Sequence, residues 1–578
     1  MTSARSEASS LSYTFLKSRG GEIIPGCPQP LHSMIDPERE ARRLVLTEGE
    51  GSGFLVFLGL GGGFAPEAAL ELTNAQVAVI DFDANSVKEL FANRDYSGLL
   101  TNSRFTLLVD PGSEEIKNFF LEHYKPALHG GIKTIPLRGR VEQDRVSFEN
   151  AASAIKEAIE IISFDYSVQA HFGKRWFSNI IRNVRQPAGG GKREENDAAA
   201  LYGRNLFYTP AAKLPALKNK IRNIALAAAG PSLDMQIESL SDLKSRGGYI
   251  ICTDTALGAL FSNGIEPDAV VSIDCQHISC SHFIGFSRYL YQRNIPLVLD
   301  IASPPMLAAL SPHPVFFASG HPLARYISAY LRPLPQLDTS GANVTHACLS
   351  LAESIIAGRF AWPHTENPAA DAVITLFGAD FSYIKSQAYA RGAYIYPYFS
   401  KRQNRLSPLE AQLSSLLYRS PFLPSPDGEK KDYYETSSLR FYRKKLEEKA
   451  SLINAKIIRE KGLGAPINLE KKVLNNDPLK DPAAGGLAAS SLAASLNELS
   501  GEKFLEHYRN DIAALPAADG KDNYFKKLNE KEAQVFTTLL PLAAAVKKRN
   551  AADIEQKDLI EEVKKFSIKE IEKALRAD

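Results

Sequence analysis

Four short stretches of this chain place glycines, hydroxyls and carboxylates where apolar runs end. Ile224 to Ala229 runs into the tight turn Gly230-Pro231-Ser232-Leu233. The run Tyr249-Ile250-Ile251-Cys252 ends at Thr253-Asp254, and Ala269 to Ile273 ends at Asp274, with Gln276 and His277 just beyond. Ala372 to Phe377 ends at Gly378-Ala379-Asp380. A Gly-Pro-Ser turn between strand and helix offers backbone N–H groups and a hydroxyl to a phosphate. Strand ends bearing Gly, Ser, Thr and Asp are where open α/β sheets collect ligands. A further cluster, Asp338 to His346, contains Ser340, Gly341 and Asn343 and leads into an amphipathic segment, Ala347 to Ala357. Small polar residues before a helix suit an anion or a cap.

Each residue also has a local structural role to weigh. Ser232 can cap the following helix, Asp254 and Asp274 can cap turns, and His346 can be a packed histidine at a helix start. As a base, His346 comes first, Asp380 second and His277 third. His321 is a weaker candidate.

These residues need a sheet to position them. Between residues 221 and 381 apolar runs alternate with helical segments; Pro296–Asp300 and Val315–Ala318 add two more strands to those above. This alternation predicts a mainly parallel sheet with helices on both faces. Upstream, Gly53-Phe54-Leu55-Val56-Phe57-Leu58 runs into Gly59-Leu60-Gly61-Gly62-Gly63. A helix over Pro66 to Leu72 and a strand ending at Asp81 follow, an outline of the dinucleotide or S-adenosylmethionine fingerprint. A glycine loop alone does not establish a cofactor, and the expectation is a Rossmann-like domain with none obligatory. Residues 113–185 look mostly helical. Beyond residue 400 the strands stop, and Leu439–Leu452, Asn529–Lys548 and Asp558–Leu575 carry helical periodicity with many Lys and Glu.

With 578 residues the chain is too long for one core. The expected layout is an N-terminal Rossmann-like domain (1–185), a linker (186–220), a central nucleotide-sugar-binding domain (221–400) and a C-terminal helical domain (401–578). Pro, Gly and charge mark the linker, and Asp477 to Ser490 breaks the last region in two. The net charge of +2 gives no electrostatic case for nucleic acid. Five cysteines show no pair of zinc-ligand pairs, so no metal site is expected. They read as reduced thiols of a cytoplasmic protein, and no apolar run is long enough to span a bilayer.

The central region resembles the motility accessory factor family, flagellin glycosyltransferases with a 6-hydroxymethylpterin pyrophosphokinase-like central domain. The matching residues are Ala229-Gly230-Pro231-Ser232-Leu233-Asp234, Gly264-Ile265-Glu266-Pro267-Asp268 with Asp274, Ser340 to His346, and Phe377 to Phe381. Fainter echoes lie in Ser33 to Ala41 and in Gly173-Lys174-Arg175-Trp176. The chain departs from the family pattern at Ser340-Gly341-Ala342-Asn343-Val344, at Gly378 to Ser382, and in an insertion over Phe360 to Asp371. The resemblance implies a sialyltransferase-like central fold. It also implies transfer of a nonulosonic acid, of pseudaminic or legionaminic type, from its CMP ester to Ser or Thr of flagellin. No cofactor is then required, although magnesium is compatible. An alternative is an ATP-dependent hydroxymethylpterin pyrophosphokinase with magnesium on Asp254, Asp274 and Asp380. A third is a flagellin-binding factor without turnover.

Overall fold

The structure is a computed structural model that describes residues 13–185, 223–311, 314–357, 372–384, 387–423, 432–470, 500–518, 524–549 and 554–576. The linker expected at 186–220, the insertion at 360–371 with Trp362, and the break at 477–490 lie outside the described residues. The chain forms two compact units. One comprises Met1–Lys174 and Asn510–Lys569, the other Arg175–Arg509 and Glu570–Asp578. The 401–578 stretch is divided between them. Its first part completes the second unit, and helix Glu530–Arg549 buries Val535, Phe536, Leu539 and Leu542 within the first.

The first unit holds a parallel sheet of four strands: β1 (Ser52–Leu58), β2 (Gln76–Asp81), β3 (Phe105–Val109) and β4 (Gly131–Pro136). Their order is β3-β2-β1-β4, half of a Rossmann arrangement. β4 interrupts a stretch expected to be helical. It is an edge strand whose residues are mostly exposed or half-buried, so its sequence lacks a continuous apolar run.

The second unit carries a seven-stranded sheet, parallel throughout. Its strands are β5 (Asn223–Ala227), β6 (Tyr249–Thr253), β7 (Ala269–Ser272), β8 (Leu297–Asp300), β9 (Pro314–Phe317), β10 (Val373–Phe377) and β11 (Lys456–Arg459). The order is β9-β8-β7-β6-β5-β10-β11. Ile224, Ala225, Leu226 and Ala227 are all buried, as are all five residues of β6. Burial on both faces is why these strands read as unbroken apolar runs. The order reverses between β5 and β10, so the crevice of an open sheet falls at Gly230 and Gly378. β11 was not expected, because no apolar run marks a strand beyond residue 400. As an edge strand of alternating exposed and half-buried residues it carries a weak signal.

Candidate functional site

The Gly230–Leu233 turn leads from β5 into helix Leu233–Ser245 at that crevice, but its N–H groups are not free. Gly230 N–H donates to Gly378 O (2.9 Å) and Leu233 N–H to Gly230 O (3.0 Å). Ser232 N–H donates to Asp380 Oδ2 (2.7 Å). The Ser232 hydroxyl accepts from Leu463 N–H (2.9 Å) and makes no side-chain cap. Asp380 is buried, and its Oδ1 lies 3.3 Å from Arg459 Nη2 at the end of β11. The expected phosphate cradle is thus occupied by a carboxylate of the protein itself. Gly230 is required for this: a Cβ would lie 2.3 Å from Gly378 O and 2.5 Å from Asp380 Oδ2. Gln236 locks the arrangement, accepting from Gly378 N–H and donating to Lys461 O. Asp380, tied to Ser232 and Arg459, is placed as a structural clamp rather than as a base.

A different set gathers beyond β6 and β7. Asp254 is buried and accepts from Ser272 Oγ (2.6 Å) and Thr255 N–H (2.7 Å). Thr253 caps the short helical turn Asp254–Ala256. Asp274 accepts from Gln276 N–H (3.0 Å). Burial pushes the Asp274 carboxyl above the usual range, and the Asp254 charge adds to this. His282 acts on Asp274 in the opposite sense. The His282 ring lies 4.0 Å from the Tyr394 ring, and its Nδ1 is buried with no hydrogen-bond partner among the described residues. Burial raises the pKa of the Tyr394 and Tyr389 phenols; Asp254 raises both further, and Arg419 lowers both. Two carboxylates, an imidazole, two phenols and a guanidinium therefore share one neighbourhood. Among the described residues no group of three His, Cys, Asp or Glu is arranged to hold a metal ion.

The Asp338–His346 segment is built around its own helix start. Asn343 caps helix Val344–Ile356 by accepting from His346 N–H (3.0 Å) and donates to Gly341 O. Ser340 N–H donates to Asp338 Oδ1 (2.9 Å). His346 is buried, and its ring packs so closely on Gly341 that a Cβ there would lie 2.3 Å from it. Burial lowers the pKa of His346, as a base requires, against the pull of Asp338 4.0 Å away. His277, by contrast, is exposed at the start of a short helical turn.

Residues 202–360 match the model of the family described as 6-hydroxymethylpterin diphosphokinase MptE-like. An uncharacterized protein of Treponema pallidum is 32% identical over 162 residues, 28% of this chain and 67% of that protein. A second from the same organism is 36% identical over 107 residues, 18% of this chain and 33% of its own length. The Maf glycosyltransferase of Magnetospirillum magneticum superposes over 98% of this chain and 90% of its own, with a TM-score of 0.52 at 14% identity. Residues 202–360 thus carry an MptE-like domain, and the chain as a whole shares the fold of that Maf glycosyltransferase. At that identity the structural likeness is one of fold. No helix among the described residues is long and apolar enough to cross a membrane.

The fainter family motif around Arg175 also reaches this sheet edge. Burial pushes the Cys275 thiol up to about 12 and Arg175 opposes this, and Trp176 packs edge-on against His321 at 5.1 Å. Asn179 donates to Cys275 O and Ala302 O, and Asn183 to Ile301 O and Ser303 O. Asp300, at the end of β8, was missed by sequence reasoning although it repeats the strand-end pattern. Burial lifts its pKa to about 6. His282 and Arg419 were missed too: neither lies in a glycine-rich turn, and only the fold brings them beside Asp274 and Tyr394.

Proposed function

We propose that this chain is an O-glycosyltransferase that moves a nonulosonic acid, of pseudaminic or legionaminic type, from its CMP ester to Ser or Thr of flagellin in the cytoplasm. The observation that carries this reading is the Asp254–Asp274–His282–Tyr394–Arg419 neighbourhood. It lies at the carboxyl edge of a parallel sheet whose fold matches a Maf glycosyltransferase. In the reaction the acceptor oxygen bonds to the anomeric carbon as the bond to the phosphate oxygen breaks and CMP leaves. The acceptor proton passes to a base. Asp274 suits this role, since its raised pKa brings it closer to the operating pH. In this reading His282 relays the proton. Asp254, fixed by Ser272 and Thr255, orients sugar or ribose hydroxyls, and Arg419 and Arg175 offset charge on the leaving phosphate. The transition state is oxocarbenium-like. The Gly230–Leu233 turn shapes the edge, and His346 positions the Ser340–Asn343 loop.

The description of the family matched by residues 202–360 favours a second reading, pyrophosphate transfer from ATP to a hydroxymethylpterin. Magnesium would then rest on Asp254 and Asp274, with Asp380 already committed to Arg459. A flagellin-binding role without turnover is the third. A thermal-shift panel of CMP, CDP, UDP, ATP and S-adenosylmethionine, followed by donor-turnover assays, separates them. Selective stabilisation by CMP with CMP release from a CMP-sugar supports transfer. ATP use with magnesium supports the second reading, and CMP binding without turnover the third.

A further inference from the structure

A cavity of about 100 Å³ opens within the second unit, lined by Gln387, Ala388, Tyr389, Tyr396, Leu413 and Leu417 among others. The lining segment joins it to the site above: Ala390 N–H donates to Ala229 O (2.8 Å) just beyond the end of β5, and Tyr394, next to the lining Ile395, packs its ring 4.0 Å from that of His282. Sites that enclose a whole small molecule run to roughly 300–1,000 Å³. This cavity therefore takes a substituent, not a nucleotide or a sugar ring. Its walls are Leu413, Leu417, Ile395 and two tyrosine rings, with one amide side chain, Gln387. The Tyr396 hydroxyl is already committed to Tyr389 O at 2.9 Å, which fixes that wall. An apolar chamber with one amide on its lining fits a small group that is apolar at its tip and carries an amide at its base.

We propose that this cavity is the subsite for an acylamino substituent of the donor sugar. The methyl end faces Leu413 and Leu417, and the amide pairs with Gln387. Gln387, Ala388 and Leu417 are then specificity-determining residues. The inference rests on the transfer reading, and it predicts which donors are chosen.

The test uses the full chain with CMP-N-acetylneuraminic acid and its de-N-acetylated form, binding being measured by calorimetry. The N-acetyl form should bind wild type about tenfold or more tightly than the free amine, the scale of a lost small apolar contact with its hydrogen bond. Ala388→Leu, at a half-buried lining position, should bring the ratio near one while leaving CMP affinity unchanged. Leu417→Phe is a second way to fill the cavity, and Gln387→Leu should reduce the ratio by part. A wild-type ratio near one, or a ratio unchanged in folded Ala388→Leu and Leu417→Phe, overturns the proposal while leaving sugar transfer standing. Failure of wild type to bind CMP or either donor overturns both.

Discussion

The glycine loop after β1 and the Gly230 turn after β5 are filled in the same way, and differ in what lies beside them. In each, the acid that closes the turn comes from the end of a neighbouring strand. Asp81, at the end of β2, accepts from Leu60 N–H (2.7 Å), and Asp380, beyond β10, accepts from Ser232 N–H (2.7 Å). An arginine answers each acid: Arg140 Nε lies 3.0 Å from Asp81, and Arg459 Nη2 3.3 Å from Asp380. A carboxylate on a backbone N–H stands where a bound phosphate oxygen would, so neither turn offers an open anion site. The first loop is sealed further. Gly62 N–H donates to His32 Nε2, and a Cβ on Gly61 would lie 2.5 Å from Leu137 and 2.7 Å from His32. The second has titratable groups on the adjoining strand ends, from Asp254 to His282. A glycine turn thus marks where a sheet can bind, and the neighbouring strand ends decide whether chemistry follows.

The largest expected effect tests that difference. Asp274→Asn should lower sugar transfer by about 10²–10⁴-fold, the range for a positioned base, with CMP binding retained. The wild-type pH–rate profile should rise through a midpoint above the ordinary carboxylate range, because burial and Asp254 raise the Asp274 pKa. No substitution around Gly59–Gly63 should change transfer on this scale unless the unit unfolds. Near-normal transfer by Asp274→Asn moves the base to His282.

Next comes the closure of the first loop. Arg140 and Asp81 are essentially fully buried, and burial pushes the Asp81 carboxyl up while Arg140 opposes it. Arg140→Met leaves that carboxylate unpaired and should cost about 3–5 kcal/mol in denaturant unfolding. Arg459→Met should cost less, about 1–3 kcal/mol, because the Arg459 side chain is 16% exposed and water can reach the space it leaves. Equal costs would break the contrast between a fully buried pair and a partly exposed one.

Asp300 is a strand-end acid with no arginine. Ala302 N–H (2.7 Å) and the Ser319 side chain hold it, and it has no ion pair among the described residues. Its pKa rises from 3.8 to about 6, so the folded state binds the proton more tightly than the unfolded chain. Its ionisation therefore destabilises the fold as pH rises from about 4 through 6, and the cost is complete above 6. Asp300→Asn should add roughly 2–3 kcal/mol at pH 7.5, and the gain should vanish below pH 4. A gain independent of pH would mean that packing, not charge, is responsible.

Much of this contrast was legible in the sequence, and what was not has a common cause. β5, β6, β8 and β10 are buried on both faces, and their apolar runs place them to within two residues. β4 and β11 are edge strands with exposed or half-exposed side chains, so nothing in Gly131–Pro136 or Lys456–Arg459 separates them from loops. The Gly230 turn was correctly placed, but its openness was not. Asp380 lies 148 residues from Ser232 and Arg459 a further 79 along, and no local pattern reports that the three meet. His282 is hidden for the same reason, in a short helical turn whose ring meets Tyr394 from another part of the chain.

The smallest expected effect separates the two uses a serine has in such a turn. A phosphate-binding Ser232 would give up affinity for CMP when cut to alanine, by the 1.5–3 kcal/mol typical of a hydrogen bond to a charged group, or about 10–150-fold. In this structure its hydroxyl instead accepts from Leu463 N–H, so the loss falls on the fold. Ser232→Ala should cost about 1 kcal/mol in unfolding free energy, that of an ordinary hydrogen bond, and change the CMP dissociation constant less than twofold. Asp380→Asn should behave similarly, since an amide oxygen still accepts from Ser232 N–H while the ion pair with Arg459 is lost. A tenfold weaker CMP response in a Ser232→Ala protein of normal stability would show that the Asp380 clamp opens for the nucleotide. The second loop would then differ from the first in mobility as well as in its neighbours.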